Sequence, residues 1–210
     1  MEDISCLFYL VLEFIDHVLS NEGRVLVHCQ QGVSRSSAML ISYLMWKQDT
    51  DFSTTHIAVK KIRGVCSPNP GFITQLMRHY NIMHEDPIKP RLYRVIPHSA
   101  ASPNLLVLKS TNKFPSPACL DSRGSHLLIT PDHVYVWLGF ECHDSLKEAA
   151  HAYVKRVQTY GKAPPSTKII VQGKEPAEFV SFFDDSSQKV TTIGRNPEYD
   201  EEYALLYSSE

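Results

Sequence analysis

The chain has 210 residues, enough for one or two domains, of which 43% are hydrophobic and 21% charged. Its net charge of −2 at pH 7 excludes the basic field that favours nucleic acid or an anionic membrane. The five cysteines are widely spaced without a Cys-x-x-Cys pair, which argues against a disulfide framework or a zinc site. The first residues lack the basic region typical of a signal peptide, and no apolar run reaches the length needed to span a bilayer. We therefore expect a soluble protein of the cytoplasm, or also the nucleus, with no metal, cofactor, nucleic-acid or membrane partner.

Apolar periodicity predicts several helices and one short strand in the first part of the chain. Residues 3–19 repeat apolar side chains at helical spacing, and Asp3 is a candidate N-cap. Residues 24–28 are β-rich without alternating charges, so we predict a strand that is buried on both faces. Three further helices are predicted over residues 36–47, 52–63 and 72–83.

The texture of the sequence changes after a proline-containing linker at residues 84–90. We predict a partial domain over residues 1–86, a second domain over 87–185 and an acidic, polar tail over 186–210, much of it mobile. In the second domain the patterns predict strands over residues 91–95, 105–108, 126–129, 134–138 and 169–171, and helices over 144–160 and 176–183.

The stretch HCQQGVSRS lies between the predicted strand and the following helix. Backbone N–H groups at a helix N-terminus converge on one centre and bind anions. Gly32 permits a tight turn, and Arg35 can place a planar fork of donors on two phosphate oxygens. The same positive field lowers the pKa of a thiol at Cys29 and makes it a nucleophile, and Ser36 can hydrogen-bond the sulfur. The pattern predicts a loop that binds a phosphoryl group and attacks it.

HCQQGVSRS resembles the His-Cys-x5-Arg-Ser signature of the cysteine-based protein phosphatases, and SAMLISYLMW and SPNPGFITQL resemble the dual-specificity branch. The resemblance implies catalysis by Cys29, Arg35 and Ser36, with His28 and Asn69 supporting the loop. Asn69 has the alternative of being a simple turn residue. The resemblance further implies a phosphate site formed by Gln30, Gln31, Gly32, Val33, Ser34 and Arg35.

The resemblance covers residues 2–83 and implies the C-terminal half of a phosphatase domain. In the family an aspartate on a loop shortly before this segment protonates the leaving group. Asp3 aligns with a helix-capping aspartate and not with that acid. We therefore expect an N-terminally truncated chain, with the general acid and most of the sheet before residue 1.

The runs LDSRGSHLLITPDHVYVWLGF and KIIVQGKEPAEFVSFF resemble a gelsolin-type repeat. The expected fold class is therefore α/β, a partial dual-specificity phosphatase domain followed by an α/β gelsolin-like domain. Such repeats can bind calcium through carboxylates, and Glu148 is one candidate ligand. Ser125 stands where the other carboxylate would be, so calcium is disfavoured. A protein partner is expected for this half.

The pairing of the two domains resembles the plant-type MAP-kinase phosphatases. It implies hydrolysis of phosphotyrosine and phosphoserine or phosphothreonine, through a phosphocysteine intermediate, in a phosphorylated protein such as a MAP kinase. The alternative is a catalytically weak fragment that binds phosphoproteins as an adaptor, because it lacks the general acid.

Overall fold

The structure, a computed structural model, describes residues 2–85, 88–111, 115–183 and 193–207. The chain forms two compact units, residues 1–86 and residues 87–210. Within the described ranges, no helix is both long and apolar enough to cross a membrane.

The first unit is helical where the structure describes it. After a 3₁₀ turn at Ser5–Leu7 come α1 (Phe8–Ser20), α2 (Arg35–Gln48), α3 (Phe52–Ile62) and α4 (Pro70–His84). The Oδ1 atom of Asp51 caps α3 by accepting from the backbone N–H of Thr54 at 2.8 Å. The apolar faces of these helices share one core, formed by Ile4, Phe8, Ala38, Ile41, Met45, Val59, Cys66, Phe72 and Leu76.

The predicted strand at residues 24–28 is wrong. The segment has neither helix nor strand, and Leu26 exposes 84% of its surface. A strand needs a neighbouring ladder for its N–H and C=O groups. The described residues of the first unit offer no such ladder, since the sheet of the chain lies in the second unit. The apolar composition of this segment therefore does not lead to burial here.

In the part of the chain that the structure describes, the second unit contains a five-stranded sheet and three helices. Its elements are β1 (Arg91–Ser99), β2 (Ser102–Ser110), β3 (Ser125–Ile129), β4 (Val134–Leu138), α5 (Asp144–Tyr160), β5 (Thr167–Val171), α6 (Ala177–Val180) and α7 (Asp200–Tyr207). The strand order is β2-β1-β3-β4-β5. Neighbouring strands are antiparallel except β4 and β5, which are parallel and joined through the long helix α5. This crossover fits the rule that parallel neighbours need a long connection.

The core of the second unit forms around the aromatic residues of β4. Every residue of β3 and β4 is buried. Tyr135 packs edge-on against Phe179, with ring centroids 5.5 Å apart. The indole N–H of Trp137 donates to Glu175 at 2.9 Å, which satisfies the one polar atom of that side chain.

The predicted tail over residues 186–210 is folded in the part that the structure describes. Tyr203 of α7 is fully buried, and α7 packs on β1 and β2. Glu202 accepts from Arg94 of β1 at 2.7 Å and from Lys109 of β2 at 3.1 Å. Asp200 accepts from Arg123 at 2.7 Å. Two acidic residues of this segment, Asp200 and Glu202, are thus paired with basic residues of the sheet and its loops, and residues 193–207 fold onto the second unit. The rest of the predicted tail, residues 186–192 and 208–210, lies outside the described residues.

Candidate active site

The loop of residues 28–36 leads directly into α2, as the sequence predicts. Gly32 has a φ of +66°, a backbone conformation that L side chains rarely adopt. Ser34 precedes the helix, and Arg35 is its first residue. The loop N–H groups therefore lie at a helix N-terminus, where they can bind an anion.

Cys29 is half-buried, and its pKa is lowered from 9.0 to about 6. The largest cause is the hydroxyl of Ser36, whose Oγ lies 3.3 Å from the sulfur. The backbone N–H groups of Ser36, Gly32 and Gln31 also donate to the sulfur and lower its pKa, whereas burial raises it. Since these amides stabilise a negative charge, the loop favours the thiolate form that acts as nucleophile.

The remaining predicted loop residues surround this centre. Val33 and Ser34 are half-buried, whereas Gln30, Gln31 and Arg35 are exposed. The guanidinium of Arg35 can therefore approach an anion held by the loop amides from the solvent side. His28 is exposed at the start of the loop, and in the described part of the chain its ring has no hydrogen bond to the loop.

The segment between α3 and α4 holds the loop in place by three hydrogen bonds. The backbone N–H of Ser67 donates to the carbonyl of Val33 at 3.0 Å, and that of Asn69 donates to Ser34 Oγ at 3.0 Å. Arg63 Nη2 donates to the carbonyl of Gly32 at 3.4 Å. The sequence alone does not indicate Arg63 or Ser67 as supports of the loop, because no local pattern shows which carbonyl a distant N–H will reach.

Asn69 both caps α4 with its side chain and contacts the loop of residues 28–36 with its main chain. Its side-chain Oδ1 accepts from the backbone N–H of Phe72 at 2.9 Å and so caps α4. Its backbone N–H donates to Ser34 Oγ in the loop of residues 28–36, referred to below as the phosphate loop. The support it gives the loop comes from the main chain, and the side chain stabilises the helix.

Asp3 is not the N-cap of a helix, because the N-cap of the first 3₁₀ turn is Ile4 and that of α1 is Leu7. Its Oδ1 accepts from the backbone N–H of Ser5 at 3.0 Å and from the hydroxyl of Ser5 at 2.6 Å. A carboxylate that accepts from the N–H two residues on closes a local turn before the helix. The structure thus assigns Asp3 a structural role.

The calcium candidates of the second unit are not brought together as ligands. The hydroxyl of Ser125 donates to the carbonyl of Leu146 at 2.9 Å, and Glu148 is exposed on α5. Within the described ranges, no group of three or more His, Cys, Asp and Glu side chains could hold a metal ion.

The segment that contains this loop is similar to a described catalytic domain. Residues 1–82 match the family model described as "Dual specificity phosphatase, catalytic domain". Residues 1–82 are therefore similar in sequence to the catalytic domain of dual-specificity phosphatases.

Over most of its length the chain is homologous to a plant phosphatase. It is 36% identical to the protein-tyrosine-phosphatase MKP1 of Arabidopsis thaliana over 186 residues, 87% of this chain and 24% of that protein. It is 44% identical to dual specificity protein phosphatase 2 of Homo sapiens over 78 residues, 37% of this chain and 25% of that protein. The chain thus spans about a quarter of the length of these curated relatives, 24% and 25%.

One similar solved structure is that of human tyrosine phosphatase-like serine/threonine/tyrosine-interacting protein. It shares 35% sequence identity with this chain, covers 40% of it and 56% of the human chain, and has a TM-score of 0.40.

Proposed function

We propose that the chain is a phosphoprotein phosphatase that hydrolyses phosphotyrosine and phosphoserine or phosphothreonine through a phosphocysteine on Cys29. The observation that supports it best is the Cys29 sulfur 3.3 Å from the Ser36 hydroxyl, beside the N-terminus of α2, with a pKa lowered to about 6 by that hydroxyl and the loop amides. Donors that stabilise a thiolate there would also surround the oxygens of a phosphate placed on it. Both steps of the reaction need these donors.

In the first step the Cys29 thiolate attacks phosphorus, the bond from phosphorus to the substrate oxygen breaks, and the leaving oxygen takes a proton from solvent. Arg35 and the loop amides hold the phosphoryl oxygens. In the second step a water oxygen attacks phosphorus, the bond from phosphorus to sulfur breaks, and phosphate and a proton leave while the thiolate returns. The hydroxyl of Ser36, 3.3 Å from the sulfur, stabilises that departing thiolate.

An aryl phosphate with a good leaving group tests the reaction, because it depends least on a general acid. We expect Cys29-dependent release of phosphate, lost in Cys29→Ser and strongly reduced in Arg35→Lys, which removes the planar fork. The matched control is Cys6→Ser, since Cys6 is a buried thiol of the same unit. Absence of turnover that depends on Cys29 would contradict the proposal.

The second candidate is a phosphoprotein-binding adaptor. It is favoured by the engagement of Asp3 with Ser5, which leaves that carboxylate serving the helix start. Loss of a general acid typically costs on the order of 10²–10⁴ in rate. Stoichiometric binding of a phosphopeptide without release of phosphate would support this alternative, whereas repeated turnover of the phosphopeptide would exclude it.

A MAP kinase is the proposed substrate, on the sequence resemblance to plant-type MAP-kinase phosphatases. A peptide carrying phosphothreonine and phosphotyrosine in a kinase activation-loop sequence tests it. We expect phosphate release from both residues, and release from neither would contradict the assignment.

A cytoplasmic or nuclear location belongs to the same proposal, and fractionation of cells that express the chain tests it.

The second unit is proposed to be a gelsolin-like module that binds a protein partner. Its succession of strands, long helix α5 and final parallel strand β5 follows the order that the sequence resemblance implies. Deleting residues 87–210 is expected to leave hydrolysis of a small aryl phosphate intact if the module serves recruitment. Loss of that hydrolysis, with the first unit still folded, would contradict a recruiting role.

A further inference from the structure

We infer that His56 is a positioning residue of the phosphate loop and acts through the peptide bond between Cys66 and Ser67. The inference rests on the proposed function, because it concerns the same loop. That loop can bind an anion only if its carbonyl groups are held away from the anion.

A loop whose N–H groups converge on an anion must point its carbonyl oxygens elsewhere, since a carbonyl turned inward would repel the phosphate. Each outward carbonyl needs a donor or water. The carbonyl of Val33 receives the N–H of Ser67 at 3.0 Å, and that of Gly32 receives Arg63 at 3.4 Å. The Ser67 bond is the shorter of the two, and it comes from the main chain.

The peptide group that supplies this N–H is held at its other end by His56. The carbonyl oxygen of Cys66 lies 3.2 Å from His56 Nε2. A carbonyl only accepts, so Nε2 must carry the hydrogen. Since the peptide is planar, the Cys66 carbonyl and the Ser67 N–H turn together. The hydrogen bond of His56 therefore fixes the direction in which the Ser67 N–H points.

His56 is itself well placed to act as a fixed donor. Its ring stacks on Phe52 with centroids 5.2 Å apart and an interplanar angle of 16°. Both residues lie on α3, whose start is capped by Asp51. Helix α3 thus carries a rigid imidazole to the peptide that faces the phosphate loop. No local pattern in the sequence indicates this contact.

Three variants test the role of His56. His56→Phe keeps an aromatic ring beside Phe52 but removes the donor, and His56→Gln restores a donor at the end of a flexible chain. The matched control is His84→Phe, because His84 Nδ1 contacts the carbonyl of Tyr80 at 2.8 Å in the same unit, on α4. All variants are made in the full chain, and circular dichroism and thermal unfolding establish that they fold.

Two measurements report on the loop. The affinity for tungstate, a phosphate-shaped oxyanion, is measured by calorimetry, and the apparent pKa of Cys29 is measured from the rate of alkylation against pH. We expect His56→Phe to weaken tungstate binding about three- to tenfold, the factor that one hydrogen bond supplies, and to raise the Cys29 pKa. We expect His56→Gln to recover most of both and His84→Phe to change neither.

Unchanged tungstate affinity and Cys29 pKa in His56→Phe would overturn the inference. An equal loss in His84→Phe would do the same, because it would show a general effect on the unit. If His56→Phe does not fold, His56→Leu gives the same comparison. Failure of the proposed function is separable, since the wild-type chain would then show no turnover while the alkylation profile still reports on His56.

Discussion

The hydroxyl of Ser36 is the largest single cause of the low pKa of Cys29. With a pKa of about 6, Cys29 is protonated in more acidic solution and mostly thiolate at neutral pH. We predict that kcat/KM rises with pH through about 6 and then levels off. In Ser36→Ala the pKa should rise toward the ordinary value of a thiol, so the curve moves to more alkaline pH and activity at neutral pH falls.

Alkylation of Cys29 at a series of pH values measures the same change without substrate. Ser37→Ala is the control, because it removes a neighbouring hydroxyl of α2 that is buried and does not contribute to the Cys29 pKa shift. An unchanged alkylation midpoint in Ser36→Ala would contradict the assigned cause.

Gly139 allows a close approach of two backbone segments in the second unit. A Cβ at this position would overlap the carbonyl oxygen and carbon of Ser122, which are main-chain atoms that cannot turn aside. We predict that Gly139→Ala lowers the free energy of unfolding of this unit by about 1–3 kcal/mol or more. In the same unit Gly194→Ala has open space and should change it by less than about 0.5 kcal/mol. Denaturant unfolding compares them, and equal effects would refute the explanation.

At the scale of elements, the sequence predicts helices α1 to α5 because their apolar residues recur at helical spacing, whereas α7 falls in the segment predicted as a tail. The helix predicted over residues 144–160 coincides with α5, and the strand predicted over residues 134–138 coincides with β4. Predictions fail where burial depends on distant partners. Residues 24–28 have the composition of a buried strand but no neighbouring ladder among the described residues. Likewise, nothing near Glu202 in sequence indicates that Arg94 will pair with it.

The residues of the candidate site also differ in whether a local sequence pattern reveals them. Cys29, Arg35 and Ser36 lie in one short loop, so a local pattern reveals them together. The groups that support the loop come from residues 30 or more positions away, such as Arg63 on Gly32 and Asn69 on Ser34. Finding those contacts requires the packing of α3 and α4 against the loop, which periodicity alone does not determine.

Tyr203 on helix α7 stabilises the second unit, and its substitution tests how. Tyr203 is fully buried and its ring lies 4.9 Å from the Arg123 guanidinium, but its hydroxyl has no hydrogen-bond partner among the described residues. We predict that Tyr203→Ala costs about 3–5 kcal/mol, as for other large buried rings. Tyr203→Phe should leave stability unchanged or raise it by up to about 1 kcal/mol, because it removes an unsatisfied polar atom.

Thermal unfolding of the full chain measures both α7 variants. Glu201→Ala, at an exposed position of the same helix, is the control and should have little effect. A clear loss of stability in Tyr203→Phe would show that the hydroxyl is hydrogen-bonded after all.

At the scale of the whole molecule, each unit contains one buried histidine with a lowered pKa. Burial lowers the pKa of His79 to about 4 in the first unit and that of His126 to about 3 in the second. An unfolded chain binds the proton near pH 6.5, and the folded units do so only at much lower pH. Falling pH therefore favours unfolding from about 6.5 downward in both units.

We predict a loss on the order of 1 kcal/mol per pH unit for each histidine between pH 6.5 and about 4. His79→Phe should make the first unit less sensitive to pH, since its ring can pack against Phe8 and Tyr9 without a proton to gain. His17→Gln, at an exposed position, should leave the pH dependence as it is. Denaturant unfolding at pH 7 and pH 5 compares them, and equal slopes for His79→Phe and the wild type would contradict the prediction.

The distribution of the free thiols has a practical consequence for work with this protein. Of the five cysteines, Cys29 is half-buried, whereas Cys6, Cys66, Cys119 and Cys142 are all buried. A maleimide dye applied briefly to the native chain should therefore attach about once, at the phosphate loop, and five times after denaturation. Mass spectrometry gives the two stoichiometries, and their ratio measures the folded fraction of a preparation. The dye attached to the native chain also marks the reactive loop without any engineered residue.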